Sequence, residues 1–336
     1  MKDLKARTLS SIIYVALIFS SIEFKFFGLI FLLFISISLF EISRVSKKHI
    51  LIQIFLLLFL YVIIDFQVVN FLEISSFSVY LIIFNIIYII LMLNKNFDLN
   101  SSFKLHSFCL FNLVLPFINL LILNNINSKF LIFFFCVIWF NDTFSYFFGT
   151  VFGNKPLHKR ISPNKTFEGA ILGGLVTLIL MFLVGLNYST FESYKIAVII
   201  FSTLIMATFG DLVQSKFKRD FGVKDSGSIL PGHGGIYDRI DSTVFSITAF
   251  VLFTLLLIMF HKEGFNIIII SFFVTVIFGV LSEYLIESKN LKTTLQVVIL
   301  IILILVLQFF RNPNRPALGK KDLLVSPVDG KIVSIS

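Results

Sequence analysis

Residues 195–241 read KIAVIIFSTLIMATFGDLVQSKFKRDFGVKDSGSILPGHGGIYDRID. The first half is apolar over about the 20 residues that a helix needs to cross a bilayer. The second half carries Asp211, Lys216, Lys218, Arg219, Asp220, Lys224, Asp225, Asp238, Arg239 and Asp241, and a further apolar run starts at residue 242. Two membrane-length runs on either side of so charged a link decide the fold as a helical membrane protein. They also mark the link as the place to look for function, because solubility alone does not require that density of charge.

The same pattern extends along the whole chain. Apolar runs fall at 9–22, 24–41, 49–64, 76–93, 105–123, 129–150, 168–187, 195–214, 242–260, 265–286 and 292–309. The predicted architecture is therefore all-α, a polytopic bundle of about nine transmembrane helices with two more apolar helices appended. Composition agrees: the 336 residues are 57% hydrophobic and 14% charged, against roughly 45–50% and 25% in soluble domains. The net charge of +9 resides in short links, where it orients the chain and meets anionic headgroups, so no nucleic-acid partner is expected. Basic links at 44–48, 155–165 and 216–239 alternate with basic-poor ones at 65–73, 124–129 and 187–195. That alternation places the N-terminus and the charged link on the cytoplasmic side of the cell membrane. The basic start Met1 to Arg7 has no small-residue cleavage site after it and reads as the beginning of a retained first helix. Cys109 and Cys136 lie in apolar runs without metal-ligand spacing and read as small core residues.

Within the link, Asp211 and Ser215 share a helix face at i, i+4 spacing near the membrane boundary. An ionisable group at that depth is functional by default; the competing reading pairs Asp211 with Lys218 or Arg219. The stretch Lys224-Asp225-Ser226-Gly227 and Pro231-Gly232-His233-Gly234-Gly235 forms a loop whose glycines permit positive φ and let backbone amides approach phosphate. His233 could serve as acid, base or loop-fixing donor, and phosphate contact is preferred. Asp238 and Asp241 open the next helix one turn apart beside Arg239 and opposite Asp211. Together they make an oxygen-ligand set suited to Mg²⁺. The other cytoplasmic link, Ile161 to Gly169, reads as a turn feeding a helix, with Ser162 as N-cap, Pro163 at N1 and Glu168 in the first turn. Lys165 there faces the positive helix end, which calls for an anion. Asp142 follows Asn141 inside a predicted span and is expected to face the same polar cavity.

The run Ser215 to Asp241, with the earlier NDTFSYFFG (141–149) and ISPNKTFEG (161–169), resembles the ordered motifs of the phosphatidate cytidylyltransferases, or CDP-diacylglycerol synthases, over about residues 1–260. The resemblance implies transfer of a cytidylyl group from CTP to phosphatidate, with divalent metal at Asp211 and Asp238 and two cation sites. It leaves Asp142 and Asp241 as further metal or polar contacts. Lys165, Lys218, Arg219, Lys224 and Arg239 would hold phosphates, with Ser215, Gly232, His233, Gly234 and Gly235 lining the nucleotide. A homodimer is expected by family analogy alone.

Residues 261–336 resemble only the beginning of a phosphatidylserine decarboxylase, on FFRNPNR (309–315) and SPVDG (326–330). The self-cleaving serine motif of that family is absent from the sequence. No decarboxylase activity is expected, and the piece reads as a fused fragment, a frameshift or a truncation. It also sets a topological problem, since Arg311, Arg315, Lys320 and Lys321 would fall on the side that the charge rule leaves poor in basic residues. The readings that compete for the chain as a whole are a CTP transferase for another membrane lipid phosphate and an anion transporter. The transporter would show an internal repeat, and the sequence has none.

Overall fold

A computed structural model describes residues 2–49, 51–65, 71–94, 97–188, 193–229, 234–259 and 264–310. The helices are α1 (Lys2–Glu23), α2 (Phe27–Ser46), α3 (Leu51–Asp65), α4 (Phe71–Leu93), α5 (Ser102–Cys109), α6 (Leu115–Ile126), α7 (Ser128–Phe152), α8 (Phe167–Tyr188), α9 (Ser193–Asp220), α10 (Tyr237–Met259), α11 (Gly264–Leu285) and α12 (Lys289–Phe310). Each expected apolar run has its helix, and the protein is an all-α polytopic membrane bundle. Among the described residues, seven helical stretches are long and apolar enough to cross a membrane.

α5 and α6 form one rod through a π-helical turn, Leu110–Val114. The cause is Pro116, whose ring would collide with the carbonyl four residues earlier and which has no N–H to donate. Widening the preceding turn removes the collision. Buried Asn112 in that turn accepts from Asn85 of α4 at 3.2 Å.

α7 packs along α8 and α9 along α10. Small residues allow the first approach: a methyl group at Gly173 would come within 2.4 Å of the Ser145 backbone nitrogen, and one at Gly169 within 2.7 Å of the Gly149 Cα. Backbones that close give the dispersion contacts that hold helices together where lipid removes the hydrophobic drive. α8 turns Phe167, Ile171, Leu175, Ile179 and Leu183 outward, a stripe at i+4 spacing suited to lipid.

One expectation about local structure is corrected. Ser162–Thr166 is not a helix start but a β-strand, β2, paired antiparallel with β1 (Pro156–His158) in a hairpin. Helix α8 is capped four residues later than expected, by Thr166, whose hydroxyl accepts from Gly169 N–H at 3.2 Å. Glu168 does sit in the first turn, and it holds the entry to the hairpin by accepting from the N–H groups of Asn154 (3.0 Å) and Lys155 (3.1 Å). As expected of a helix leaving the membrane, α9 runs on to Asp220, which carries Lys218 and Arg219 on a rigid rod. Cys109 and Cys136 are free thiols, the first of them buried, as expected of core residues.

The appended helices form an antiparallel hairpin closed at both ends. At one end Lys292 pairs with Glu283 at 2.9 Å and Gln296 donates to Ser282 (2.6 Å) and Glu283 (3.1 Å). At the other, the Phe310 ring lies where a methyl group on Gly264 would be 2.4 Å away. The SPVDG tail at 326–330 lies outside the described residues.

Candidate active site

Where α7, the β-hairpin, α9 and the start of α10 meet, they enclose a cavity of about 450 Å³. Its walls include Asp142, Ser145 and Tyr146 of α7, Asn164 and Lys165 of β2, Thr208 and Asp211 of α9, and Asp238, Arg239 and Asp241 of α10. Six of the charged residues picked from sequence, five of them from the three motifs and Asp211 from just ahead of the third, are thus gathered into one space. The β-hairpin is what delivers Lys165, which pairs with Asp211. The expected alternatives for Asp211, Lys218 or Arg219, are engaged elsewhere. Lys165 keeps 41% of its side chain accessible through the cavity. Its low-dielectric surroundings work against the charge, but Asp211, Asp241 and Asp142 outweigh them and hold the ammonium above the ordinary lysine value.

Asp238 is bonded differently from its neighbours. Oδ1 accepts from Gln214 Nε2 at 2.7 Å and Lys218 Nζ at 2.8 Å. Oδ2 accepts from Ser226 N–H at 2.8 Å and from Gly235 N–H at 3.0 Å, with the Ser226 hydroxyl oxygen 3.0 Å away. Both oxygens meet protein donors, and the carboxylate ties the glycine-rich loop to α9 and α10 at the cavity wall. The apolar run of α10 begins only at Ser242, which leaves Asp238 in the charged turn ahead of it. Burial works to raise its carboxyl, but Lys218 and the N–H donors of Gly235 and Ser226 prevail and hold it below the usual carboxylate range.

Asp142, Asp211 and Asp241 remain as carboxylates on the cavity wall, opposed there by Lys165 and Arg239. An all-oxygen donor set with surplus negative charge fits a hard divalent cation. Among the described residues, however, no three His, Cys, Asp or Glu converge in ready metal-ligand geometry. A cation held here would therefore share its shell with phosphate oxygens and water, as Mg²⁺ commonly does.

Other sequence candidates lie off the wall. Lys218 reaches the cavity only through Asp238; Arg219 is exposed and donates to the Ile161 carbonyl at 3.4 Å, bracing the hairpin. Lys224 is exposed and Ser215 half-buried, and neither is in the cavity wall. Gly234 has the expected positive φ, +81°, a conformation that other residues adopt at a cost. Gly235 is small for a reason not foreseen. A methyl group there would lie 2.2 Å from Ser226 Oγ and 2.4 Å from Glu41 Oε2. Gly232 and His233 fall outside the described residues.

Glu41 of α2 was missed from sequence. It is 2% exposed and accepts from Ile236 N–H, Tyr237 N–H and the Ser226 hydroxyl, each at 3.0 Å. The signal available was an acidic residue at the end of an apolar run, LLFISISLFE (32–41), where an ionisable group asks for a partner.

A second cavity, of about 280 Å³, adjoins the first and shares Asn141, Leu157, Ala170 and Thr208 with it. Its remaining lining is almost wholly apolar and includes Phe167, Ile171, Leu175, Phe201 and Ile205 from α8 and α9.

Comparison with known proteins bears on this arrangement. Proteins named phosphatidate cytidylyltransferase from Staphylococcus saprophyticus and Staphylococcus haemolyticus are each 42% identical to this chain over 160 residues, which is 46% of this chain and 60% of theirs. One of the same name from Staphylococcus aureus (strain COL) is 41% identical over the same length. The match spans 60% of the length of these relatives. Residues 5–259, which hold every wall of the charged cavity and stop short of the α11–α12 hairpin, match the cytidylyltransferase family, and the chain belongs to it.

Proposed function

We propose that this protein transfers the cytidylyl group of CTP to the phosphate of phosphatidate, giving CDP-diacylglycerol and pyrophosphate. The observation that carries the reading is the shared wall between a charged cavity and an apolar groove. A nucleoside triphosphate suits the first and an acyl chain the second, and the reacting phosphates meet where the two join. The names of the staphylococcal relatives support the same substrates.

In this reading a phosphatidate oxygen forms a bond to the α-phosphorus of CTP as the bond from that phosphorus to the β-phosphate bridging oxygen breaks. The electron pair leaves on pyrophosphate. The nucleophile is already an anion near neutral pH, so the cavity needs to position and neutralise more than to abstract protons. Lys165 and Arg239 would face phosphate charge, with Asn164 and Thr208 as neutral hydrogen-bonding groups. Asp142, Asp211 and Asp241 would hold the divalent cation. That cation would supply charge neutralisation at the triphosphate and the leaving pyrophosphate. Asp238, with Lys218 and Gln214, would keep the loop and the first turn of α10 in register. The basic links at 155–165 and 216–239 support a site open to the cytoplasm.

The test is pyrophosphate release from labelled CTP by purified protein in detergent with Mg²⁺, with and without phosphatidate. Lipid-dependent release supports the proposal. Release that depends on a different lipid phosphate, or none with any lipid, overturns it.

A further inference from the structure

We infer that Glu41 is a positioning residue for the nucleotide: from α2, outside all three signature motifs, it fixes the glycine-rich loop. The inference rests on the proposed function for its substrate and on geometry for its residue.

Glu41 does not line the charged cavity; it grips the back of the loop. The first N–H groups of any helix lack partners within it. In α10 two donors at this end, Ile236 and Tyr237, are satisfied by Glu41, 195 and 196 positions earlier in the chain. The third bond, from Ser226, ties down the other limb of the same loop, and the Ser226 hydroxyl also stands 3.0 Å from Asp238 Oδ2. The loop is shaped to admit this carboxylate. A methyl group at Gly227 would lie 2.4 Å from Glu41 Oε1, and one at Gly235 would lie 2.4 Å from Glu41 Oε2. Two glycines of the signature therefore make room for a residue that is not in it. The helix dipole and three donors compensate the buried charge.

The consequence is a division of labour. The two described limbs of the loop, at 226–227 and 235–237, are held together by Glu41, and the second leads directly into Asp238 and Arg239 on the wall of the charged cavity, which is suited to a triphosphate. None of the residues lining the apolar groove between α8 and α9 belongs to the loop, so losing Glu41 should affect the nucleotide and spare the lipid.

Glu41→Gln keeps the volume but offers one acceptor oxygen where two are used, setting an NH₂ against a backbone donor. With a hydrogen bond to a charged group contributing about 1.5–3 kcal/mol, the variant should raise the KM for CTP about tenfold or more. The KM for phosphatidate should stay within about twofold. Amide exchange at Gly235, Ile236 and Tyr237, read by mass spectrometry on the same samples without substrate, should accelerate. Wild-type exchange together with wild-type KM values would overturn the inference, and so would an equal rise in both KM values, the mark of general loosening. If the glutamine variant does not fold, Glu41→Asp, which keeps the charge but draws it back, is read in the same way. A wild-type protein that turns over no lipid phosphate defeats the proposed function alone, because the exchange measurement still decides whether Glu41 holds the loop.

Discussion

The Lys218 ammonium lies 2.8 Å from Asp238 Oδ1, joining the last turn of α9 to the first turn of α10, with 16% and 7% of the two side chains exposed. Removing one member of such a buried pair strands the other. Lys218→Met is expected to lower stability by about 3–5 kcal/mol, read as thermal unfolding in detergent. Asp238→Asn added to it should cost less than it does alone. Equal costs in the two backgrounds would mean that the pair is not coupled.

The same pair sets a pH dependence. Asp238 titrates below its ordinary value, so its contribution to stability is complete above the unfolded carboxylate pKa of about 3.9 and is lost as pH falls through the lower folded value. Without Lys218 the folded value rises. The acid unfolding midpoint of Lys218→Met should therefore move to higher pH than that of the parent, as followed by circular dichroism.

Asp142→Asn, Asp211→Asn and Asp241→Asn each remove a charge from the cavity that we propose to hold the cation. Turnover should fall by about 100-fold or more, which is about 2.7 kcal/mol at the transition state. In whatever activity remains, the Mg²⁺ concentration for half-maximal rate should rise. Chelation of the parent should stop turnover and leave the helical signal unchanged. Unaltered Mg²⁺ dependence in all three variants would remove the cation from this wall.

Gly173 and Gly174 are neighbours with opposite expectations. An alanine methyl at 173 meets the Ser145 backbone at 2.4–2.5 Å, whereas at 174 nothing lies within 4 Å. Gly173→Ala should force α7 and α8 apart at a cost of about 1–3 kcal/mol. Gly174→Ala should be neutral or should stabilise by about 0.4–1 kcal/mol through the unfolded chain. Melting temperatures of the two variants, measured side by side, check both.

Gly174 also lines the apolar groove. Gly174→Phe should fill it and raise the KM for long-chain phosphatidate, by about 10-fold if roughly two buried methylenes' worth of contact is lost. The KM for CTP and for short-chain phosphatidate should change little. A uniform rise across chain lengths would place the acyl chain elsewhere.

The sequence made the rods legible because apolar runs long enough to span are unambiguous in lipid, and it made the charged residues legible because charge there is costly without a use. What it hid was pairing. Lys165 was argued from a helix end that proved to be a strand, and its true partner, Asp211, is set by a hairpin whose strands are only three and five residues long. Asp238 was legible as a charge but not as an anchor for the loop; the donors that meet it, Gln214 and Ser226, are ordinary residues whose importance lies in direction alone. Glu41 was overlooked because it stands at the edge of an apolar run, where a span boundary explains a charge without further thought. The glycines at 227 and 235 could be read as room for a ligand, and only the fold shows that a side chain already occupies that room.

The hairpin of α11 and α12 carries the described chain away from the charged cavity. α10 leaves the cavity at Tyr237 and runs about 34 Å, at 1.5 Å per residue, to the far end of the bundle. α11 and α12 then go out and return, bringing Phe310 back beside Gly264. The described chain therefore ends at Phe310 beside the start of α11, a full helix length of α10 away from the charged cavity.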